Sequence, residues 1–289
     1  ILELTKPSLD RQAHFCKHFE SCGGCKWQYL PYEKQIAFKD QIVSDAFARL
    51  AKVEVDARLP ILPALETEFY RNKLEYTFST NRWFTKEEIA TGDDLDFRAL
   101  GFHVPGQHTK VVDIEKCYLQ NEFSNKLRNA VREYALEKDL VFYNIKIREG
   151  FLRNLVVRTA STGEILVILI VNEDNDELLP LMAFIKEKFS EITSLNYIIN
   201  PKLNDTYFDQ TPICYSGKSF IIEKLGKFSF KVRPKSFFQT NTSQGERLYD
   251  VVKNFADLQG TETLYDLYAG VGSIGLYLSD NCNKLVGIE

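Results

Sequence analysis

The pattern of apolar and polar residues along the chain predicts a mixed α/β fold. Apolar residues recur at helical spacing after Pro31, over Leu119–Leu140 and over Leu178–Phe189, and each region predicts a helix. Short alternating or continuous apolar runs predict strands, because strand residues are buried on one face or on both. The predicted strands are Lys73–Ser79, Ala99–His103, Lys110–Ile114, Leu155–Arg158, Ile165–Val171, Leu195–Asn200 and Phe220–Leu225.

The last part of the chain has a different organisation. The polar run Gln239–Ser243 can cap a helix that carries Leu248 and Val252 on one face. A strand (Thr263–Leu267), a glycine-rich turn, a helix from Ser273 and a strand (Lys284–Glu289) follow, and this order predicts a parallel pair with a crossover helix. One such unit does not complete a domain, and the chain begins with isoleucine. We therefore expect a chain truncated at both ends.

Composition and charge narrow the class of protein. The 289 residues can form two domains, and the apolar share of 44% is ordinary for a soluble protein. No apolar run reaches the length of a membrane span and the start lacks a signal peptide, so we expect a cytoplasmic protein. The net charge of −4 excludes a globally basic surface, so any nucleic-acid contact must be local. Cytosolic cysteines are not expected to form disulfides.

Three cysteines lie in one tight loop and a fourth lies far downstream. They are Cys16, Cys22, Cys25 and Cys117. Three clustered thiolates with one distant thiolate suit an iron–sulfur cluster, but four thiolates also suit tetrahedral zinc, and free cysteines are commonly just buried. The spacing by itself leaves cluster and zinc open. Cys214 and Cys282 have no cysteine neighbours, and we expect them to be packing residues.

The glycine turn near the end of the chain predicts a nucleoside cofactor. Gly270, Gly272 and Gly275 satisfy G-x-G-x-x-G after a strand, and Glu289 ends the next strand, where a carboxylate can bind ribose hydroxyls. This pattern fits a nicotinamide or flavin enzyme as well as a methyltransferase. Asp266 at the strand end favours the cationic end of S-adenosylmethionine, because a carboxylate would repel a pyrophosphate.

Taken together and in this order, these motifs resemble the iron–sulfur-containing RNA (uracil-5-)-methyltransferases, most closely the branch that modifies 23S ribosomal RNA. The resemblance covers nearly the whole chain. The matching segments are Cys16–Cys25 with Trp27-Gln28, Tyr70–Lys73, Leu100–His103, Cys117, Phe237–Asn241, Asp266–Gly272 and Val286–Glu289.

The resemblance implies two cofactors. It favours a 4Fe-4S cluster over zinc on Cys16, Cys22, Cys25 and Cys117. It also implies that S-adenosylmethionine is contacted by Gln239, Tyr268, Ser273 and Glu289, in addition to Asp266, Gly270 and Gly272 of the glycine turn.

The resemblance also implies a division of the chain. Residues 1–12 would be the tail of an N-terminal RNA-binding barrel, 13–232 a central α+β domain that carries the cluster loop and a small mixed sheet, and 233–289 the first strand–helix–strand of a Rossmann-like methyltransferase domain. The resulting fold class is α/β.

The reaction that the resemblance implies is covalent. A cysteine thiolate adds to carbon 6 of uracil, carbon 5 takes the methyl group, a carboxylate removes the carbon 5 proton, and the thiolate leaves. In the family that cysteine and that carboxylate lie beyond the position of Glu289, so we predict no catalytic residue in this chain and expect the chain alone to be inactive. We expect the full-length protein to be a monomer that binds ribosomal RNA, with transfer RNA as the less favoured substrate.

Local basic residues are the candidates for RNA contact. They are Arg71, Lys73, Arg82, Lys202, Arg233 and Lys235. Arg233 and Lys235 precede Phe237, a residue that could stack on a base or pack in a core. Two other classes of function stay open at this stage: an iron–sulfur oxidoreductase with a nicotinamide cofactor, and a non-catalytic RNA-binding protein.

Overall fold

A computed structural model describes residues 5–92 and 94–289. The first four residues of the predicted N-terminal tail lie outside the described residues. The helices are α1 (Tyr32–Asp45), α2 (Lys86–Thr91), α3 (Glu122–Glu137), α4 (Leu178–Lys188), α5 (Thr242–Ala256) and α6 (Ser273–Leu278). The strands are β1 (Lys73–Ser79), β2 (Arg82–Trp83), β3 (Ala99–Val104), β4 (Gln107–Asp113), β5 (Leu152–Thr159), β6 (Ile165–Val171), β7 (Ser194–Ile199), β8 (Ile213–Gly217), β9 (Ile221–Leu225), β10 (Phe228–Val232), β11 (Thr263–Leu267) and β12 (Lys284–Ile288). The predicted α/β class is confirmed.

Eight strands form one mixed sheet in the order β2-β4-β3-β1-β5-β6-β7-β8. Most neighbours are antiparallel, while β2 and β4 are parallel and so are β6 and β7. The β6–β7 pair is joined through α4, as a parallel pair requires a crossover. The turn at Thr162-Gly163 joins β5 to β6, and Gly163 has a φ of +83°, which glycine adopts without strain. Two further pairs lie outside this sheet: antiparallel β9–β10 and parallel β11–β12.

The centre of the sheet is buried on both faces. Every residue of β6 is buried, which explains its unbroken apolar sequence Ile165–Val171. On one face, Val167, Leu169 and Val171 pack in a core that includes Leu127 of α3 and Leu181 of α4. This first core extends along the sheet to the cysteine loop and includes Cys22 and Cys117.

The opposite face of the same strands forms a second core. Ile168 and Ile170 of β6 pack there with residues of β9 and β10 and with Phe238 and Tyr249. The segment that follows β10 is therefore held on the sheet by apolar packing, and Val271 and Tyr277 from the glycine turn and α6 are packed against the same core.

Several elements differ from the sequence prediction. The helix after Pro31 is present, but α1 buries no residue, and Ile42 and Val43 are exposed. The strands β8 and β10 and the short helix α2 were not predicted. Helix α2 begins with a capping box in which Thr85 and Glu88 exchange hydrogen bonds of 3.2 and 2.8 Å, and the T-x-x-E pattern in the sequence is the signal that indicates it.

The packing role predicted for Cys214 is wrong. Cys214 is exposed because it lies on β8, the edge strand of the sheet, whereas Cys282 is half-buried. No helix in the described part of the chain is long and apolar enough to cross a membrane.

Removing side-chain volume from the second core tests whether β6 is buried on this face. Ile168 is fully buried, so Ile168→Ala should lower the free energy of unfolding by about 2–5 kcal/mol through lost burial and a cavity. Ile147 is 63% exposed, and Ile147→Ala should change it by no more than about 0.5 kcal/mol. Urea denaturation of both variants measures the difference, and equal effects would contradict the assigned second core.

Candidate functional site

The structure brings the four predicted cysteines to one small cavity. Cys16, Cys22, Cys25 and Cys117 all line it, together with apolar side chains that include Phe102, Ile114 and Leu119. The cysteine loop is attached to the sheet by the Gly23 N–H, which donates to the His103 carbonyl oxygen at 3.0 Å. A Cβ at Gly23 would lie 2.6 Å from that oxygen, so only glycine permits this approach.

Cys117 lines the cavity from a separate segment of the chain, the one that leads into α3. Its N–H donates to Oδ1 of Asn125 at 2.8 Å, and Nδ2 of Asn125 donates back to the Cys117 carbonyl oxygen at 3.1 Å. The guanidinium of Arg128 donates to Oδ1 of the same asparagine and to the carbonyl oxygen of Ile114. Buried polar side chains of α3 therefore fix the position of the distant cysteine.

Burial dominates the chemistry of these thiols. It raises the pKa of Cys22 to about 12, and it also raises the pKa of Cys16, Cys25 and Cys117. Hydrogen bonds oppose this effect by stabilising the thiolates: the Gly24 N–H lies 3.3 Å from Sγ of Cys22, and the Gln28 amide interacts with Cys25. Thiolates in this cavity need a compensating positive charge.

Among residues 5–92 and 94–289, no group of three or more histidine, cysteine, aspartate or glutamate side chains could hold a metal ion. The four ligands of one zinc ion must all lie about 2.3 Å from a common centre, whereas the inorganic core of a cluster keeps its thiolates farther apart.

The glycine turn brings six of the seven predicted cofactor residues to one end of the β11–β12 pair. Tyr268 follows β11 and is 93% exposed, with a φ of +60°. Gly270 and Gly272 also have positive φ, and nothing lies within 4 Å of where a Cβ of Gly270 would be. Oε2 of Glu289, at the end of β12, accepts a hydrogen bond from the Gly270 N–H at 2.7 Å. The carboxyl ends of two parallel strands thus meet at one edge, where open α/β sheets bind ligands.

Asp266 and Ser273 have structural partners in this turn. Oδ2 of Asp266 accepts a hydrogen bond from the Gly275 N–H at 2.9 Å, and a Cβ at Gly275 would lie 2.7 Å from that oxygen. The Ser273 hydroxyl is 2.9 Å from the hydroxyl of Tyr249 on α5. One carboxylate oxygen of Asp266 is therefore used to hold the start of α6, and Ser273 joins α6 to α5.

Gln239, the seventh predicted residue, lies at the start of α5. Nδ2 of Asn72 donates to the Gln239 carbonyl oxygen at 2.8 Å and to Oγ1 of Thr242 at 2.9 Å, and the Asn72 N–H donates to the Thr240 carbonyl oxygen at 2.7 Å. Oδ1 of Asn241 accepts from the Gln244 N–H at 3.0 Å and caps α5. We call these Asn72 contacts the Asn72 clamp. They hold the segment of Gln239 against the start of β1.

Two neighbouring phenylalanines have opposite environments. Phe238 is buried in the second core, whereas Phe237 is 74% exposed. Of the two interpretations that the sequence allowed for Phe237, core packing is therefore wrong, and its ring is free to stack on a ligand.

The predicted basic residues separate into two groups. Arg82 pairs with Glu88, Lys202 pairs with Asp209, and Nζ of Lys235 donates to the carbonyl oxygens of Phe208 and Gln210. These three side chains hold protein structure together. Arg71 and Lys73 line a cleft between β1, β5 and the segment before Gln239, which Lys235 also lines.

Sequence reasoning missed three polar residues around this cleft. Arg158 lines it and is 5% exposed, Glu75 of β1 also lines it, and the hydroxyl of Tyr207 donates to Oε2 of Glu75 at 3.1 Å. An arginine that ends the otherwise apolar strand Leu155–Arg158 is the sequence signal that could have indicated the site.

Comparison with known sequences gives relatives described as RNA methyltransferases. A search against models of protein families found no match. The chain is 48% identical over 284 residues to an uncharacterized RNA methyltransferase of Bacteroides thetaiotaomicron, with 96% of this chain and 63% of the relative covered. It is 43% identical to one of Porphyromonas gingivalis, with 100% and 64% covered, and 36% identical to one of Chlorobaculum tepidum, with 100% and 61% covered. The chain thus spans less than two thirds of the length of these curated relatives.

A solved structure has a similar fold. The tRNA (uracil-54, C5)-methyltransferase of Pyrococcus abyssi, in complex with S-adenosyl-L-homocysteine, aligns with a TM-score of 0.71 and 25% sequence identity. The alignment covers 99% of this chain and 60% of the archaeal protein. The likeness therefore extends over both the large sheet and the β11–β12 unit.

The Asn72 clamp can be tested by removing one amide. Asn72→Ala should lower the free energy of unfolding by about 1–3 kcal/mol, because a part-buried carbonyl oxygen and a part-buried hydroxyl lose their donor. Asn283 is exposed, and Asn283→Ala should change stability by no more than about 0.5 kcal/mol. Chemical denaturation compares the two variants, and a stable Asn72→Ala variant would show that the clamp is dispensable.

Proposed function

We propose that the full-length protein is a cytoplasmic enzyme that uses S-adenosylmethionine to methylate carbon 5 of a specific uridine in 23S ribosomal RNA. The observation that carries the proposal is the parallel β11–β12 edge with Tyr268, the open glycine turn and Glu289, in a chain whose fold aligns with that of a uracil-C5 methyltransferase. The relatives described as RNA methyltransferases support the same class of reaction.

The residues at this edge suit S-adenosylmethionine. Glu289 ends β12, where its carboxylate would accept hydrogen bonds from the ribose hydroxyls, and the exposed ring of Tyr268 would lie along the methionine part. Gly270 and Gly272 leave the backbone open to close approach, and the start of α6 lies directly after them. When bound there, S-adenosylmethionine supplies an electrophilic methyl group.

Gln239 would act between the cofactor and the target base. Its carbonyl oxygen is held by Asn72, and no hydrogen bond of its side-chain amide is found within the described ranges. An amide can donate and accept at once, so it can orient a polar ligand edge. Ser273, half-buried beside Tyr249, would complete the cofactor side of the site, and the free oxygen of Asp266 would face the cationic end of the ligand.

The methyl transfer itself needs groups that we do not assign to this chain. A thiolate adds to carbon 6 of the uracil, and the electron density gained at carbon 5 attacks the methyl group, which leaves its sulfonium sulfur as a neutral thioether. A carboxylate base then takes the carbon 5 proton, and the bond between thiolate and carbon 6 breaks to restore the ring. Neither Cys214 nor Cys282 is proposed for this role. The residues of this chain position the cofactor and the RNA, and we propose that residues 233–289 belong to the methyltransferase domain and residues 13–232 to the central domain.

We further propose that Cys16, Cys22, Cys25 and Cys117 hold a 4Fe-4S cluster. All four thiols line one largely apolar cavity, the Gly24 N–H is directed at the sulfur of Cys22, and the Gln28 amide interacts with Cys25. The positive charge of the cluster irons would stabilise thiolates that burial otherwise disfavours. A cluster there would hold the cysteine loop beside the sheet, next to the segment of Gln239.

Methylation of unmodified 23S ribosomal RNA by the full-length protein is the direct test. We expect one methyl group at carbon 5 of a uridine, located by nuclease digestion and mass spectrometry. Methylation of transfer RNA alone would correct the substrate, and inactivity on both RNAs with both cofactors present would favour a non-catalytic RNA-binding protein. Binding of NADH in place of S-adenosylhomocysteine would favour the oxidoreductase.

Glu289→Gln tests the cofactor site. Loss of the charged acceptor should weaken S-adenosylhomocysteine binding roughly 10- to 150-fold, since a hydrogen bond to a charged group contributes about 1.5–3 kcal/mol. Glu187 is exposed on α4, and Glu187→Gln should bind with unchanged affinity. Isothermal titration calorimetry measures both, and an unaffected Glu289→Gln variant would remove Glu289 from the cofactor site.

Metal analysis of anaerobically purified protein tests the cluster. We expect about four irons and four acid-labile sulfides per chain. Cys117→Ser should lower both counts, whereas Cys214→Ser should leave them unchanged, because Cys214 is exposed on an edge strand away from the cysteine cavity. Zinc without sulfide would contradict the cluster.

A further inference from the structure

A positively charged cleft lies between the cysteine cavity and the segment of Gln239. We call it the basic cleft, and its lining residues include Arg71, Lys73, Glu75, Arg158, Phe208 and Phe237. Gly24, Phe102 and Leu119 line both this cleft and the cysteine cavity. The basic cleft therefore lies directly beside the two features that the resemblance singles out. Its lining includes Arg71 and Lys73, which the sequence already offered as RNA contacts.

The positive charges in the basic cleft are only partly balanced by protein carboxylates, and Glu223 acts on Arg158 from beyond ion-pair distance. Arg158 is 5% exposed, and its guanidinium donates to the Ser236 carbonyl oxygen at 3.1 Å. In the part of the chain that the structure describes, no carboxylate oxygen lies within 4.0 Å of Arg158 or of Arg71. Nζ of Lys73 is 3.8 Å from Oε2 of Glu75, the one carboxylate that lines the cleft. Lys235 also lines the cleft, but its Nζ donates to two backbone carbonyl oxygens.

A buried cation without a carboxylate is costly unless a ligand supplies the negative charge. Buried charged groups in proteins are paired, because the interior cannot replace the hydration that they lose. Burial lowers the pKa of Lys73 and of Arg158, which reflects this cost. Arginine and lysine side chains that converge on one cleft match a phosphate, whose oxygens accept several charge-assisted hydrogen bonds.

The rim of the basic cleft carries two exposed aromatic rings. Phe237 is 74% exposed and Phe208 is 62% exposed. The ring of Phe208 is stacked on that of Tyr207, with centroids 5.0 Å apart and an interplanar angle of 16°. The backbone carbonyl oxygen of Phe208 accepts a hydrogen bond from Nζ of Lys235 at 2.8 Å. The Phe208 ring is therefore held in place with one face open, as a stacking platform for a base would be.

We propose that the basic cleft binds an unpaired nucleotide of the RNA substrate, with its phosphate on Arg158, Lys73 and Arg71 and a base stacked on Phe208. The identity of the ligand as RNA rests on the proposed function, but the binding does not depend on methyl transfer. Duplex RNA keeps its bases inside the helix, so a phosphate site beside a free aromatic face selects a single strand.

Binding of a labelled single-stranded RNA to the full-length protein tests the proposal. The probe is a uridine-containing strand of about 12 nucleotides, which exceeds the footprint of one stacking groove in many single-strand binders. Fluorescence anisotropy between about 50 and 200 mM salt gives the affinity and its salt dependence. Arg158→Gln and Lys73→Met should each reduce the slope of log affinity against log salt by roughly 0.7 for a lost phosphate contact. Phe208→Ala should weaken binding roughly 5- to 150-fold with the slope unchanged.

Matched controls separate these effects from general ones. Lys146 and Phe255 are exposed away from the cleft, so Lys146→Met and Phe255→Ala should bind the strand as the parent protein does. If Arg158→Gln fails to fold by circular dichroism, Lys73→Met and Phe208→Ala decide the question. Unchanged affinity and slope in the cleft variants would overturn the proposal, and so would equal binding of the same sequence as a duplex.

Two further measurements are needed. One distinguishes an RNA phosphate from free phosphate, and the other separates this inference from the proposed methyltransferase function. Inorganic phosphate should compete only weakly with the strand. If Arg158→Gln loses phosphate binding but keeps RNA binding, the cleft is a site for free phosphate and the RNA proposal is overturned. Affinity for S-adenosylhomocysteine should be the same in the cleft variants and in the parent. Parent protein that binds the strand through the cleft but fails to bind S-adenosylhomocysteine would overturn the proposed function and leave this inference standing.

Discussion

The burial of β5 and β6 on both faces is the constraint on which the rest of the molecule depends. One face of these strands forms the first core with α3 and α4, and the other forms the second core with β9, β10 and the segment that leads to α5. Strands that are covered on both sides must be apolar throughout, as Ile165–Val171 is. Because the same strands support both cores, the cysteine cavity and the segment of Gln239 are positioned by a single sheet.

The polar residues of the site depend on this apolar frame. Asn72 precedes β1, so the register of β1 against β5 sets where the Asn72 clamp can reach. Arg158 belongs to β5 and directs its guanidinium out of the sheet toward the Ser236 carbonyl oxygen. The cleft and the clamp are thus attached to neighbouring strands. A shift of β1 by one residue against β5 would move Lys73 and Glu75 to the face opposite Arg158.

The elements predicted correctly from the sequence are those whose local residue pattern is typical of a single kind of structure. The continuous run of β6, the alternation in β1, the cap at Asn241 and the glycine turn after β11 each appear within a few residues of their predicted positions. The convergence of the four cysteines was also anticipated, because three lie in one loop. By contrast, α1 carries apolar residues at helical spacing but buries none of them, and spacing cannot tell a core face from an exposed one. The basic cleft could be predicted only in part. Arg71 and Lys73 were candidates for RNA contact, but Arg158 was not, because it meets Ser236 across a separation of 78 residues that no local pattern shows.

The Asn72 clamp also bears on the order in which the chain can fold during synthesis. Its side-chain bond to Gln239 joins residues separated by 167 positions, whereas the β5–β6 pair is a local hairpin. At ribosomal rates of about 5–20 residues per second, roughly 10–30 s pass between the synthesis of the two ends of the clamp. The large sheet can assemble in that interval, but the polar groups of Asn72 stay in water until the second segment arrives. Closure of the clamp is therefore a late step, and the cofactor edge takes its position only after the central sheet has formed.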